Sequence, residues 1–181
     1  MELVFEIPNK IVFIKNFLDY KAYKQLHYDV FREKNIVFQT GSELWKGTKI
    51  YNLLERYQSD YSVAAINNDY KPIKKLKTLL NTNPYMKVPL NNTAMVNDWK
   101  EGSGSNWHCD TGREFGITYF LNRRWSEFWG GELMFKDEDK TGFIQPVANS
   151  VVIIKTPFVH KVSPVLKTHI NRKTIQIFSN N

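Results

Sequence analysis

The sequence predicts an α+β fold that is mainly β, on three observations. The chain has 181 residues, the length of one ordinary domain, and 42% of them are hydrophobic, which suffices for a core. Two amphipathic segments with helical spacing occur in the first 86 residues. From residue 87 onward, short β-rich segments alternate with Gly, Asn, Asp and Pro clusters. Turn signals at a spacing of roughly 8 to 12 residues are typical of an antiparallel sandwich or barrel.

The first elements are expected to be two strands and a helix. The strands cover about residues 3–7 and 10–14. Asp19 is a suitable N-cap, and the apolar residues that follow it at helical spacing predict a helix that ends near Asn35. The segment IVFQT, residues 36–40, is then expected to form a strand.

A second helix is expected to begin at Pro72, because proline suits the first helical turn. Asn81 to Pro84 should end it. The densest basic run of the chain, KPIKKLK at residues 71–77, falls on this helix, and its lysines lie largely off the apolar stripe. We interpret them as a solvated helix face, with a nucleic-acid patch as the alternative.

Residues 87–181 are predicted to hold the β core of a single domain that spans residues 1–181. Its β-rich segments are NTAMVNDW, FGITYFLN, GELMFKD, GFIQPV, SVVIIKT, HKVSPV and TIQIFSN. Residues 1–86 form the strand and helix support region of the same domain, since no linker or internal repeat separates the two parts. The helices are therefore expected to pack beside the β part.

Composition excludes several classes of protein. Intrinsic disorder and collagen-like repeats do not fit a chain with 42% hydrophobic and 14% aromatic residues. No stretch approaches the ~18 to 20 apolar residues of a membrane span, and the first residues lack the pattern of a signal peptide. A single cysteine, Cys109, favours a reducing compartment, so we expect a cytoplasmic, intracellular location. The net charge of +7 permits an acidic partner without requiring one, because the basic residues are scattered.

The triplet His108-Cys109-Asp110 is the first candidate for chemistry. On a strand, residues i and i+2 share a face, so the imidazole and the carboxylate point together. Taken alone, the triplet is more typical of a surface histidine near a turn aspartate. His160, after the apolar strand SVVIIKTPF, supplies a second histidine. Two histidines and one carboxylate form a facial triad that holds Fe(II) and leaves positions open for a cosubstrate and O₂. Zinc more often uses three histidines, or two with a glutamate.

Arg172 lies at the start of a predicted strand, twelve residues beyond His160. Strand alternation places Arg172 and Thr174 on one face and Lys173 on the other. An arginine that points into a β-barrel is costly unless it meets an anion, and its planar guanidinium matches a carboxylate bidentately. A dicarboxylate cosubstrate would supply that anion; a surface arginine at a strand start is the alternative.

The order of these motifs resembles that of the 2-oxoglutarate and Fe(II)-dependent oxygenases. The motifs are HCD, FGITYFLN, WGGEL, PVANSVVIIKT, HKVSP and RKT. The sequence is most similar to the prolyl 4-hydroxylase-like branch, which includes the hypoxia-factor prolyl hydroxylases, and AMVNDW also resembles that branch. The match covers roughly residues 90–181. It implies a double-stranded β-helix, which is a jelly roll of the cupin-like type, with flanking N-terminal helices.

The resemblance also implies which residues bind the cofactors, Fe(II), 2-oxoglutarate as cosubstrate, and O₂. The residues that it assigns to the metal are His108, Asp110 and His160. The residues that we expect at 2-oxoglutarate are Arg172, Thr174, Thr118, Trp99, Phe120 and Leu133. Arg172 would pair with the C5 carboxylate, supported by the Thr174 hydroxyl. No catalytic residue beyond the metal centre is expected, and no substrate-binding residue is assigned.

Two positions depart from the family pattern. Close relatives usually carry tyrosine at the positions that align with Trp99 and Phe120, and one of these tyrosines normally donates its hydroxyl to 2-oxoglutarate. Phenylalanine cannot donate a hydrogen bond, and tryptophan has only its indole N–H. Thr118, which shares a strand face with Phe120, is our predicted substitute donor.

We therefore expect a 2-oxoglutarate-dependent dioxygenase that hydroxylates a prolyl or other residue of a protein or peptide, with release of succinate and CO₂. A free amino acid or other small molecule is an alternative substrate. A nucleic-acid demethylase of the AlkB branch is a second alternative, but that branch has a second arginine where this sequence has Phe178. The non-enzymatic alternative is an iron-free binding module on the same scaffold, and the intact triad with Arg172 argues against it.

Overall fold

The computed structural model describes residues 1–32, 37–40, 61–166 and 169–179. These residues form an α+β structure that is mainly β, as the sequence predicts. The strands are β1 (Glu2–Ile7), β2 (Ile11–Lys15), β3 (Val37–Thr40), β4 (Tyr61–Ala65), β5 (Asn92–Trp99), β6 (Phe115–Phe120), β7 (Leu133–Asp137), β8 (Lys140–Ile144), β9 (Ser150–Lys155), β10 (His160–Val162) and β11 (Arg172–Ser179). The helices are α1 (Tyr20–Phe31) and α2 (Lys71–Thr82), and a 3₁₀ turn covers Glu127–Trp129.

The helix boundaries follow local signals in the sequence. The Asp19 side chain accepts a hydrogen bond from the Ala22 amide at 3.0 Å and so caps α1, as predicted. The helix ends at Phe31, whereas the predicted end at Asn35 lies outside the described residues. Pro72 lies in the first turn of α2, as expected. Neither helix is long and apolar enough to cross a membrane, and no other helix occurs in the part of the chain that the structure describes.

Three lysines of α2, Lys71, Lys74 and Lys75, are exposed as the prediction of a solvated face requires, and Lys77 is not. Lys77 is only 9% exposed, and its ammonium donates to Asn68 Oδ1 at 2.8 Å and to the Asn92 carbonyl at 2.7 Å. Lys74 pairs with Asp69 at 2.9 Å, and Lys75 pairs with Asp19. Position on a helical wheel does not reveal that the Asn92 carbonyl, at the start of β5, covers Lys77, and this is why the sequence interpretation was wrong for that residue.

Two antiparallel sheets build the β part. The eight-stranded main sheet has the order β1-β2-β9-β6-β11-β5-β4-β3, and the three-stranded minor sheet has the order β10-β7-β8. Strands β1 to β4, from the predicted support region, form both edges of the main sheet around strands from the predicted core. The single-domain assignment stays a prediction, but residues from both of its parts share one sheet.

The main sheet has two buried faces with different coverings. On the outer face, Ile117, Tyr119 and Ile175 pack in one apolar cluster with residues of both helices, such as Leu26 and Leu76. The inner face looks toward the minor sheet and is covered by two separate apolar clusters. The first cluster contains Phe13, Phe120, Val152, Leu133, Phe135 and Phe158. The second contains Val63, Trp99, Val162 and Val165. The candidate site lies on this inner face.

Candidate metal centre and anion pocket

His108, Asp110 and His160 come together between the two sheets, and their ligand atoms all lie within 4.8 Å of one another. His108 Nε2 lies 3.8 Å from Asp110 Oδ1, and His160 Nε2 lies 3.7 Å from Asp110 Oδ2. These separations exceed hydrogen-bond distance, which leaves the three donor atoms facing a common point. Asp110 Oδ2 is buried and has no hydrogen-bond partner among the described residues. A buried carboxylate oxygen without a partner is consistent with a cation-binding site.

Backbone pairing brings the two histidines side by side. The amide of each of His108 and His160 donates to the carbonyl of the other at 2.9 Å. The Nδ1 of His108 lies 2.6 Å from the Asn106 carbonyl, and that of His160 lies 3.0 Å from the Phe158 carbonyl. When Nδ1 donates to a carbonyl, the lone pair of the ring is on Nε2, the atom that faces Asp110. The ring tautomers therefore suit metal ligation.

Gly116 of β6 makes room for the metal carboxylate, and sequence reasoning missed it. A Cβ atom at this position would lie 2.1 Å from Asp110 Oδ2, so any larger residue would displace the carboxylate. A glycine inside the otherwise apolar strand FGITYF is the signal that indicates such a close approach.

The two histidines differ in how deeply their side chains are buried. The side chain of His160 is 8% exposed, whereas that of His108 is 30% exposed. Desolvation lowers the pKa of His160, although the adjacent Asp110 carboxylate opposes this. A depressed pKa keeps the imidazole neutral, the form that binds a metal. The metal centre therefore has one deeply buried side, and it reaches the surface beside His108.

Arg172, the first residue of β11, forms a buried cationic pocket on the inner face. Its side chain is 1% exposed, and its guanidinium carbon lies 5.2 Å from the Phe120 ring centre and 5.8 Å from the Trp99 ring centre. Gly131, with a φ of +71°, packs against it, and a Cβ there would lie 2.8 Å from Arg172 Cδ. Burial lowers the pKa of Arg172 to about 9, and the nearby Glu132 carboxylate opposes this, so the guanidinium is still charged at neutral pH.

The guanidinium retains unused hydrogen-bonding capacity. Arg172 Nε and Nη2 have no partner within the described ranges, and neither has the hydroxyl of the fully buried Thr174. Buried donors without partners are rare, and a buried charge without an anion is costly. These nitrogen and hydroxyl donors on one strand face therefore suit a carboxylate ligand, and their assignment to 2-oxoglutarate stays a prediction.

The remaining predicted cosubstrate residues differ in their placement. Trp99 is the cross-strand partner of Arg172, and Phe120 is that of Thr174, so both border the pocket. Leu133 is 2% exposed and belongs to the same apolar cluster as Phe120. The expectation for Thr118 needs correction, because its hydroxyl donates to Gln176 Oε1 at 2.9 Å. Its one hydrogen is thus already used in the structure.

The sequence matches a known protein family, and the fold is similar to those of solved structures. Residues 94–180 match the model of the 2OG-Fe(II) oxygenase superfamily. No curated protein matches the sequence. A prolyl hydroxylase from Trichoplax adhaerens, solved with a hypoxia inducible factor oxygen degradation domain peptide fragment, is similar with a TM-score of 0.73 and 21% identity, over 95% of this chain and 84% of that one.

Two further solved structures have a similar fold. A prolyl-4-hydroxylase from Pseudomonas putida has a TM-score of 0.71 at 16% identity, over 95% of this chain and 93% of that one. A 2OG-Fe(II) oxygenase family oxidoreductase from Burkholderia pseudomallei has a TM-score of 0.57 at 13% identity, over 93% and 84% of the two chains. These similarities confirm the double-stranded β-helix that the motif order implies.

Proposed function

Since residues 94–180 belong to the 2OG-Fe(II) oxygenase superfamily, we propose that this 2-oxoglutarate-dependent dioxygenase hydroxylates a prolyl or other residue of a protein or peptide. Fe(II), 2-oxoglutarate and O₂ are the cofactors of the family. The observation that carries the proposal is the His-Asp-His cluster on the same inner face as the buried guanidinium of Arg172, whose Nε and Nη2 have no hydrogen-bond partner in the part of the chain that the structure describes.

His108, Asp110 and His160 would hold the iron. Bound Fe(II) would supply the oxidising chemistry, in which 2-oxoglutarate loses CO₂ to give succinate, one oxygen atom of O₂ enters succinate and the other becomes the hydroxyl oxygen of the substrate. The protein contributes positioning. The Asn106 and Phe158 carbonyls orient the two imidazoles, and Gly116 leaves room for the carboxylate.

Arg172 would bind the distal carboxylate of 2-oxoglutarate, with the Thr174 hydroxyl beside it. Trp99 and Phe120 stack near the guanidinium and exclude water from it, and Leu133 adds to the apolar wall. A carboxylate in so dry a pocket interacts with the guanidinium more strongly than it would in water. The surroundings of Arg172 therefore favour an anionic group over a neutral one.

The substrate would approach on the His108 side, where the metal centre reaches the surface. Two similar structures are named as prolyl hydroxylases, and one of them was solved with a peptide, which favours a peptide or protein substrate here. The structure also gives no support to a nucleic-acid surface on α2. Lys77 is buried, while Lys74 and Lys75 already pair with aspartates.

Mass spectrometry on peptides tests this proposal. The purified protein is incubated with Fe(II), 2-oxoglutarate and a library of proline-containing and proline-free peptides. We expect one or more peptides to gain the mass of one oxygen atom only when both cofactors are present, and the Asp110→Ala variant, as control, to give none. Oxidation of free amino acids with no change in any peptide would instead indicate the small-molecule alternative.

A further inference from the structure

The inner face of β5 carries a buried amide, Asn97, for which the proposed function has no use. Asn97 is 4% exposed, and its Oδ1 has no hydrogen-bond partner in the described part of the chain. An unpaired buried amide destabilises a fold, so such a group usually serves a ligand or a water. The amide offers two N–H donors, and rotation by half a turn exchanges its oxygen and nitrogen positions.

Residues that are paired across neighbouring strands form a row of the sheet. The two ends of the site lie in different rows of the main sheet. At one end, Arg172 of β11 is paired with Trp99 of β5. At the other end, Phe178 of β11 is paired with Gly116 of β6, against which the Asp110 carboxylate packs. A ligand that joins the guanidinium to the metal ligands must cross the rows in between.

Two rows separate these ends, and the first of them holds buried polar atoms without a partner. Next to Arg172, Thr174 pairs with Asn97, and both Thr174 Oγ1 and Asn97 Oδ1 lack a partner among the residues described. In the following row, Thr118 donates to Gln176 Oε1 at 2.9 Å, and neither side chain has a buried polar atom without a partner in the described residues. The unmet hydrogen-bonding capacity therefore lies in the row next to the guanidinium.

We propose that Asn97 donates an amide N–H to 2-oxoglutarate, in the role that the family resemblance implies for a tyrosine hydroxyl in close relatives. The two positions aligned with those tyrosines hold Trp99 and Phe120, whose rings stack near the Arg172 guanidinium. Asn97 then belongs to the cosubstrate pocket with Arg172 and Thr174, and Thr118 does not. This assignment rests on the proposed placement of the 2-oxoglutarate carboxylate at Arg172.

Direct binding measurements on the Fe(II)-loaded protein without O₂ test the assignment. We expect calorimetry to show that Asn97→Leu, of similar volume, weakens 2-oxoglutarate binding by about 10- to 100-fold, the worth of a hydrogen bond to a charged group. Asn97→Asp should weaken it further, because a carboxylate repels the ligand. The matched control, Thr118→Val, should keep the affinity within about 3-fold of the wild type. This is a smaller change than the factor of ten to which ~1.4 kcal/mol corresponds.

The melting temperature of the ligand-free protein provides a second readout. If Asn97 is an unpaired amide kept for a ligand, Asn97→Leu should raise the melting temperature by about 2 °C or more. An unchanged 2-oxoglutarate affinity in both Asn97 variants, or a lower melting temperature with normal affinity, would overturn the assignment. If the wild-type protein binds Fe(II) but no 2-oxoglutarate, both the role of Arg172 and that of Asn97 are wrong. If the wild-type protein binds 2-oxoglutarate and only the Asn97 variants are unaffected, the role of Asn97 alone is wrong.

Discussion

Arg172 and Lys173 are adjacent, buried and cationic, yet they lie on opposite faces of the main sheet and differ in their partners. The Lys173 ammonium, on the outer face, lies 3.5 Å from Asp98 Oδ2 and 5.2 Å from the Phe31 ring centre. Both of those charged side chains are 8% exposed. Arg172, on the inner face, has aromatic neighbours, and its Nε and Nη2 have no hydrogen-bond partner within the described residues.

On the proposed function, the outer face of β11 has a structural role and its inner face binds the cosubstrate. The outer cation has its counter-ion within the protein, so its charge is part of the stability of the fold. The inner cation has aromatic rings and Gly131 around it, and Glu132 is near, but its Nε and Nη2 have no hydrogen-bond partner within the described residues, so they can bind an anion from outside. Substitutions on the two faces should therefore separate loss of binding from loss of folding.

The largest effect is expected at the metal end of the inner face. Asp110→Ala removes one of the three proposed metal ligands, and we expect it to abolish succinate production. The melting temperature of the ligand-free protein should hardly change, because Asp110 Oδ2 has no hydrogen-bond partner among the described residues to lose. Succinate assays and thermal unfolding check this. Near-normal turnover in Asp110→Ala would show that the triad is not the metal site.

Arg172→Ala should show the next largest effect, on cosubstrate use. Truncating one member of a buried charge pair typically costs ~2 to 5 kcal/mol, or roughly 30-fold to several thousand-fold in affinity. We expect the apparent KM for 2-oxoglutarate to rise by at least about 30-fold, which corresponds to the lower of these two energies. Fe(II) binding should stay nearly intact. Arg172→Lys should give an intermediate KM, because lysine keeps the charge without the bidentate geometry.

Lys173→Ala should produce the opposite pattern, with lower stability and normal cosubstrate affinity. Strand alternation alone would suggest that this exchange does little, but burial beside Asp98 leads us to expect a loss of about 3 to 5 kcal/mol in the free energy of unfolding. Denaturant titration measures this loss. The double variant Lys173→Met/Asp98→Asn should recover part of it. A stable Lys173→Ala protein with impaired 2-oxoglutarate binding would reverse our assignment of the two faces.

The smallest effect is expected from His27 of α1, in the helix layer on the outer face. Burial, and to a smaller extent the positive charge of Arg123, lowers its pKa to about 4. The unfolded chain, with a histidine pKa of about 6.5, then takes up a proton that the folded protein resists. Stability is thus intact above about pH 6.5 and decreases as the pH falls toward 4. His27→Phe should reduce this decrease in denaturant titrations at several pH values, and an unchanged pH profile would contradict it.

The sequence predicts those features that depend on spacing along the chain. The i and i+2 pattern of His108 and Asp110, the alternation that turns Arg172 inward, and the N-cap at Asp19 all need only local geometry. What covers a side chain depends on distant residues, so the burial of Lys173 beside Asp98 and of Lys77 beside Asn92 was not predictable in this way.

The features of the site that the sequence did not predict also depend on residues that are distant along the chain. Whether Thr118 has a free hydrogen depends on its cross-strand neighbour Gln176. Asn97 attracts no notice in the sequence, because its importance comes from pairing with Thr174. The substrate, the cytoplasmic location and the single-domain assignment stay predictions, since spacing and pairing do not test them.

The position of β11 has a consequence for how the chain folds during synthesis. This strand is the last of the eleven described strands in chain order, yet it lies between β6 and β5 in the middle of the main sheet. Until residues 172–179 have left the ribosome, β5 and β6 lack their shared neighbour and the guanidinium pocket does not exist. Contacts between segments so far apart in sequence slow folding. Newly made chains should therefore expose unpaired strand edges, which chaperones recognise, until this last strand is inserted.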